Sequence, residues 1–346
     1  MALTPVSFIE IPENPVPAGG ACYMLDTPDG AKLRVATFPA PYRERARANV
    51  VLLTGRSEFI EKYFEIVSDL QQRGFSVTTL DWRGQGLSSR LLPINEKGHI
   101  TTFETFTADL RLVVEQVTDE FFPGPRILMT HSMGSVPALQ SLAKRESDFL
   151  CAIMCAPMTR LFATPAKRLF IHALTRTAVT VGASRQCVPG IKEHSLDFEG
   201  NVLTSDRNRH ARFRALQAAA PNATIGAPTY GWLNAALDAI KSIHNAAYMR
   251  ELNTPVLIIS AENDQVVDRY DHVRLANQNT NIHCVILKGA LHEIMMEQDI
   301  YRNEYWRAFD DFVEPILSEA IAEQSQSDGD EITSAPEAAP VPDQPL

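Results

Sequence analysis

The chain contains no apolar stretch approaching the roughly 20 residues that a membrane-spanning helix needs. It also lacks a basic segment followed by an apolar run near its start, because Glu10 and Pro12 interrupt the residues after Met1-Ala2-Leu3-Thr4-Pro5. No secretory leader is expected, and a cytoplasmic location is. Cysteine is scarce: Cys22, Cys151, Cys155, Cys187 and Cys284 show no close pairing of the zinc-site kind. An odd, dispersed set points to reduced thiols. Cys151 and Cys155 fall in the apolar run from Phe149 to Met158, where burial is expected. A dinucleotide fingerprint is missing too, since Ser89 stands where Gly84-Gln85-Gly86 would need a third glycine, and a structural turn is expected there instead. Met296 stands where a zinc protease would need its second histidine after His292-Glu293. No metal and no cofactor are implied. Positive charge is in the minority, 32 Lys and Arg against 42 Asp and Glu, so a nucleic-acid partner is not expected.

What the chain does have is 346 residues, 45% of them hydrophobic, enough for a substantial core. Cys22 to Asp26 and Lys32 to Phe38 predict an antiparallel pair around Thr27-Pro28-Asp29-Gly30. Val50 to Leu53, a helix near Phe59 to Arg73, Ser76 to Asp81, a helix near Phe103 to Glu120 and Ile127 to Met129 come next as β-α-β units. That alternation predicts an α/β fold with a mostly parallel central sheet flanked by helices. A strand near Phe149 to Cys155, strands ahead of Asp264 and His292, and a helix from Ile300 to Ala322 continue it.

The run Ile127-Leu128-Met129-Thr130-His131-Ser132-Met133-Gly134 turns from a strand through one serine into a helix, the form of a nucleophile elbow. A serine hydroxyl needs a base to take its proton, and the base an orienting acid. His292 comes after the apolar run from Ile282 to Leu291, and Asp264 after Pro255 to Ser260. The order Ser132, Asp264, His292 is that of α/β-hydrolases and not of chymotrypsin-like or subtilisin-like proteases. Each residue also has an ordinary reading: Ser132 as a helix N-cap, Asp264 as a cap for a helix beginning near Asp268, His292 with Glu293 as a surface pair. Thr130 replaces the first glycine of G-x-S-x-G, adding a branched Cβ where a small residue is favoured, while Gly134 keeps the second. Two oxyanion donors are expected from backbone N–H groups, those of Met133 and of Arg56 in the loop Thr54-Gly55-Arg56-Ser57-Glu58.

These landmarks, with Asp81-Trp82-Arg83-Gly84-Gln85-Gly86-Leu87-Ser88, Asn263-Asp264-Gln265-Val266-Val267 and Leu291-His292-Glu293, resemble one branch of the α/β-hydrolases from about Val50 to Phe312. It is the branch of monoacylglycerol lipases, bacterial lysophospholipases and serine aminopeptidase-like hydrolases, and the likeness is greatest to the lysophospholipases. Most relatives have His-Gly where this chain has Thr54-Gly55, and Gly-His-Ser where it has Thr130-His131-Ser132. The resemblance implies ester hydrolysis through an acyl-enzyme, with a lysophospholipid as substrate. A monoacylglycerol, a smaller ester and a peptide are the alternatives among enzymes, and a hydrolysis-deficient ligand-binding protein is the alternative of another class.

Between Ala156 and about Arg250 the alternation breaks, no strand-like apolar run appears and helical patterns dominate, so a first core part is expected over 1–155, a mainly helical cap insertion over 156–250 and a second core part over 251–322. From Pro157 to Ala220 ten Lys or Arg residues face four acidic ones: Arg160, Lys167, Arg168, Arg176, Arg185, Lys192, Arg207, Arg209, Arg212 and Arg214. Interspersed with Leu161, Phe162, Leu169, Phe170 and Ile171, they form either a face for an anionic head group or the inner membrane surface, or a solvated face whose stems cover apolar surface. The stretch 323–346 has six acidic residues and no basic ones, and is expected to be disordered.

Overall fold

Short runs of Val, Ile and Leu alternate with amphipathic segments, and the two kinds of element sort into layers. The computed structural model describes residues 3–42, 46–94, 97–146, 148–189 and 197–333. Among these, β1 (Leu3–Val6), β2 (Ala21–Asp26), β3 (Lys32–Phe38), β4 (Asn49–Leu53), β5 (Ser76–Leu80), β6 (Arg126–His131), β7 (Cys151–Cys155), β8 (Val256–Ala261) and β9 (Ile282–Leu287) form one sheet. Its order is β1-β2-β3-β5-β4-β6-β7-β8-β9. The pairings among β1, β2, β3 and β5 are antiparallel, and every pairing from β5 to β9 is parallel. This is the mostly parallel sheet that the alternation predicts. β1 lies outside the expected strands: it has four residues and contains Pro5, which an edge position tolerates because no ladder bond is lost there.

Alternate residues of a strand point to opposite faces, so β4 feeds two cores. Val51 and Leu53 join Leu80, Trp82, Phe103, Val136, Leu139 and Leu275 on one face. Val50 and Leu52 join Phe64, Ile66, Leu70, Ile127 and Phe309 on the other. The first face is covered by α2 (Glu104–Val113), α4 (Ser135–Lys144) and α9 (Arg269–Gln278), the second by α1 (Phe64–Gln72) and α10 (Asp299–Thr333). The helix expected from Phe59 opens as a 3-10 turn, Ile60–Tyr63, and that expected from Phe103 passes through a π-type turn, Val114–Thr118, before α3 (Asp119–Phe121).

A buried charge group pins the loop after β5. Arg34 is fully buried, donates to Asp81 Oδ2 at 3.3 Å and pairs with Glu61. Asp81 in turn accepts the Ile60 and Leu87 N–H groups at 2.9 and 2.8 Å. Removing one member of such a group costs about 3–5 kcal/mol, because the remaining charge is left in a dry site. Gly84-Gln85-Gly86 is the structural turn expected: Gly86 has φ 53°, and a Cβ there would lie 2.1 Å from Asp81 Cγ. Gln85 then accepts the Ser57 N–H at 2.7 Å, which ties this turn to the loop after β4.

Between β7 and β8 lie α5 (Pro165–Thr180), α6 (Arg207–Ala219), α7 (Tyr230–Ile243) and α8 (Ala246–Arg250). Each starts on a side-chain cap: Thr164, Asp206, Thr229 and Asn245 accept the N–H of Lys167, Arg209, Trp232 and Ala247. Residues 190–196, with Lys192, lie outside the described residues. α10 continues to Thr333, entering the stretch expected to be disordered from Glu323, since extending an existing helix costs far less than starting one. Residues 334–346 of that stretch lie outside the described residues. Cys22, Cys151 and Cys155 are buried and all five cysteines are unpaired; burial pushes the Cys22 and Cys151 thiols up to about 12.

Candidate active site

Ser132 sits at the abrupt turn from β6 into α4 with φ 47°, the left-handed region that a non-glycine residue occupies only under constraint. Its carbonyl accepts the Met158 N–H at 3.0 Å, so the turn is bonded to the chain leaving β7. Gly134 explains why the motif keeps its second glycine: a Cβ there would stand 2.7 Å from the Thr54 carbonyl and 3.0 Å from that of Leu53. Thr130 is fully buried, and its hydroxyl is satisfied by Ser135 Oγ at 2.6 Å. The threonine thus costs no orphaned polar group, and it tethers the strand end to the first turn of α4.

The three residues drawn from distant loops converge. His292 Nε2 is 3.0 Å from Ser132 Oγ, and His292 Nδ1 is 2.7 Å from Asp264 Oδ2. With an acceptor at Nδ1 and a hydroxyl at Nε2, the neutral ring carries its proton on Nδ1 and leaves Nε2 free to take one. Asp264 Oδ1 accepts the N–H groups of Val266 and Val267 at 2.8 and 2.9 Å. Burial would raise the Asp264 carboxyl, but His292 and these N–H groups outweigh it and hold it below the usual carboxylate range. The ordinary readings fail at two positions: the N-cap of α9 is Asp268, which accepts the Tyr270 N–H, and Ser132 Oγ faces the imidazole.

The loop after β4 lies against the elbow. The Gly55 N–H donates to Glu58, and the Ser57 N–H donates to Gln85. Between them, the Arg56 N–H donates to no acceptor among the described residues. Ser57 has φ 64°, a second strained position beside the site. The Arg56 guanidinium lies 5.1 Å from the Trp232 ring centroid and donates to the Gly226 carbonyl; burial lowers it to about 10.

Sequence reasoning missed a buried group of charges beside these residues. Lys62 Nζ stands 2.7 Å from both Glu58 Oε1 and Glu293 Oε1. Tyr63 donates to Glu58 Oε2 at 2.6 Å, and His131 Nδ1 lies 3.0 Å from Glu58 Oε1, off the line of a straight hydrogen bond. Glu58 is held well below its ordinary range, burial being outweighed by Lys62 and His131. The spacing Glu58 to Lys62 was the available signal, but in sequence it reads as a solvated helical pair.

The insertion is bonded to the loops that carry the acid and the base. The Phe162 N–H donates to the Val266 carbonyl at 3.0 Å and the Asp268 N–H to that of Arg160 at 2.8 Å. The Glu293 N–H donates to the Leu203 carbonyl at 2.7 Å, and Thr204 Oγ1 to that of Met296 at 2.7 Å. Ser132, Asp264 and His292 are only 7%, 5% and 4% exposed. Five of the ten basic residues of the expected face stand in ion pairs. Arg160 pairs with Asp271, Arg168 with Asp268 and Arg207 with Glu199. Arg209 and Arg212 both meet Glu65 of α1, whose carboxyl they and Arg302 bring down to about 2.

Residues 44–299 match the model of the serine aminopeptidase family S33, which spans most of the chain. The chain belongs to that family. Among family relatives, lysophospholipase L2 of Escherichia coli K12 is 32% identical over 302 residues, covering 82% of this chain and 84% of that one. A probable lysophospholipase L2 of Haemophilus influenzae is 28% identical over 269 residues, covering 77% and 84%. A soluble variant of monoglyceride lipase from Saccharomyces cerevisiae, solved with a substrate analogue, superposes with a TM-score of 0.70 at 19% identity, over 85% of this chain and 94% of that one. That likeness shows the α/β-hydrolase fold.

Proposed function

We propose that this chain is a serine hydrolase that cleaves the carboxylic ester of a lysophospholipid through an acyl-enzyme. The observation that carries the reading is the continuous chain Asp264–His292–Ser132, with contacts of 2.7 and 3.0 Å. Ser132 Oγ attacks the ester carbon while His292 Nε2 takes its proton, and Asp264 holds the Nδ1–H tautomer and stabilises the imidazolium. The N–H groups of Met133 and Arg56 receive the charge on the carbonyl oxygen. Collapse expels the glycerol alkoxide, which leaves with the proton from His292. Water, deprotonated by the same ring, then attacks the acyl-enzyme and releases the fatty acid.

The substrate class draws on the lysophospholipase relatives. A panel of lysophosphatidylcholine, lysophosphatidylethanolamine, monoacylglycerols and short p-nitrophenyl esters is expected to give the lysophospholipids the highest kcat/KM. If they are the poorest of the set, the assignment fails. A monoacylglycerol or smaller ester is the second reading, favoured by the fold neighbour from yeast. An acyl pocket discriminates by only about 1–3 kcal/mol per methylene, so a broad chain-length range is expected. The aminopeptidase reading finds less support: Glu58 and Glu293, which stand beside the triad and could receive a substrate ammonium, are already paired with Lys62.

The insertion is proposed as a cap that also meets the inner membrane surface. On α5, Leu169 and Phe170 are 72% and 65% exposed, next to exposed Lys167 and Arg176. Five unpaired thiols fit the reducing compartment on that side. Among the described residues no helix is long and apolar enough to cross a membrane. The double variant Leu169→Ser, Phe170→Ser is expected to lose co-sedimentation with phosphatidylglycerol vesicles while still hydrolysing a soluble ester. Equal vesicle binding by both proteins would refute the contact.

A further inference from the structure

Arg56 enters the mechanism above through its main chain alone, yet its side chain runs from the loop after β4 into the insertion. There the guanidinium lies over the Trp232 ring and donates to the Gly226 carbonyl and, at 3.0 Å, to Ser57 Oγ. Its Nε is enclosed and has no acceptor. Arg90, which follows the turn at Gly84-Gln85-Gly86, reaches the same segment. It donates to the carbonyls of Asn222 at 2.6 Å and Thr224 at 3.5 Å, and its Nη1 is likewise enclosed without an acceptor. Among the described residues neither guanidinium forms an ion pair, and burial lowers both. The group that would offset the charge of Arg56 is the Cys187 thiol rather than a carboxylate; the one acting on Arg90 is Asp81, which Arg34 already engages at 3.3 Å. Arg34, Arg83 and Arg302, also buried, each meet at least two carboxylates. An enclosed cation left without an anion is costly, and a ligand that supplies the anion is a physical reason for keeping one.

We propose that Arg56, with Arg90 on the same segment 222–226, binds the phosphate of the lysophospholipid head group and so sets the preference for a phospholipid over a neutral ester. The inference rests on the lysophospholipase reading and names the residues that would enforce it. Arg56 stands at the reacting end of the site: a Cβ on Gly134 would meet the Thr54 carbonyl at 2.7 Å, and Gln85 accepts the Ser57 N–H while its amide faces Met133 Sδ at 3.7 Å. With the ester oxygen at the Arg56 N–H, the phosphate lies one glycerol unit away. The guanidinium lies one arginine side chain from that same N–H, a comparable span. The bonds to Ser57 and Gly226 use one N–H on each terminal nitrogen and leave the rest for a second acceptor. A planar fork of this kind matches phosphate oxygens and is weakly hydrated, which suits an enclosed site. A monoacylglycerol brings only a hydroxyl to that position and leaves the cations unmatched.

The test compares lysophosphatidylcholine with the monoacylglycerol of the same acyl chain in wild type, Arg56→Gln and Arg90→Gln. Glutamine keeps the main-chain N–H and removes the charge, so the ratio of the two kcat/KM values separates head-group binding from the acyl transfer common to both. That ratio is expected to fall by at least about tenfold in Arg56→Gln, the worth of hydrogen bonds to a charged group, and by a smaller factor in Arg90→Gln, with the change carried by KM. An unmoved ratio in Arg56→Gln, with both substrates depressed alike, is the mark of a structural role and overturns the proposal. A second measurement needs no variant. Against wild-type hydrolysis of a soluble p-nitrophenyl ester, an ether-linked lysophosphatidylcholine, which cannot be cleaved, is expected to inhibit at least about tenfold more tightly than the alkylglycerol ether of the same chain. Its choline carries a positive charge that arginine repels, so the gain comes from the phosphate; equal inhibition overturns the proposal. If lysophospholipids are the poorest substrates of the wild type, it is the substrate reading that fails instead, and if Ser132→Ala leaves hydrolysis intact, it is the triad.

Discussion

Replacing Ser132 by alanine is expected to lower kcat for ester hydrolysis by about 10⁶-fold, the scale seen when the nucleophile of a serine hydrolase is removed. Labelling by a fluorophosphonate probe should vanish with it, while the melting temperature should change little, because alanine keeps the Cβ and leaves the backbone at φ 47° as it was. Wild type that resists the probe would instead indicate a ligand-binding protein on the same fold. The effect is large because the hydroxyl that His292 Nε2 meets at 3.0 Å is that of Ser132.

The second large effect belongs to Asp264→Asn, for which kcat is expected to fall by about 10⁴-fold. The amide keeps an acceptor for the Val266 and Val267 N–H groups, so the loop should hold, but its NH₂ facing His292 favours the tautomer with the proton on Nε2, where it blocks the base. The depressed Asp264 carboxyl sets the sign of the pH effect. Its stabilising contribution is complete above the unfolded carboxylate range and is lost only as pH falls through the lower folded value. Between pH 5 and 9 its titration should therefore leave the wild-type kcat/KM profile unchanged, and a carboxylate-like inflection absent from Asp264→Asn would count against that assignment.

The parts of this site that can be read from sequence are those tied to local backbone form. Ser132, Asp264 and His292 each come after a strand of apolar residues, and parallel strands deliver their outgoing loops to one end of a sheet. Thr130 was legible only as a departure from the motif, since its partner Ser135 matters through a contact that exists once the elbow is folded. The Glu58, Lys62, Glu293 and His131 group was illegible for a different reason. Charged residues are usually solvated, and nothing along the chain marks these as enclosed. The pairs made by the basic insertion were not legible either: Arg160 finds Asp271 and Arg209 finds Glu65 across 111 and 144 residues, and pairing over such separations is a property of the tertiary structure. β1 escaped because Pro5 argues against a strand everywhere except at an edge.

The bonds from Phe162, Arg160, Leu203 and Thr204 to the segments 266–268 and 293–296 have a bearing on how such enzymes diversify. An insertion fastened, mostly through its main chain, to the very turns that hold imidazole and carboxylate is not an interchangeable attachment. Transplanting one from a relative would bring its own spacing to those turns, so new specificities on this scaffold should arise by altering side chains within the existing insertion, with wholesale exchange succeeding only when the matching turns travel with it.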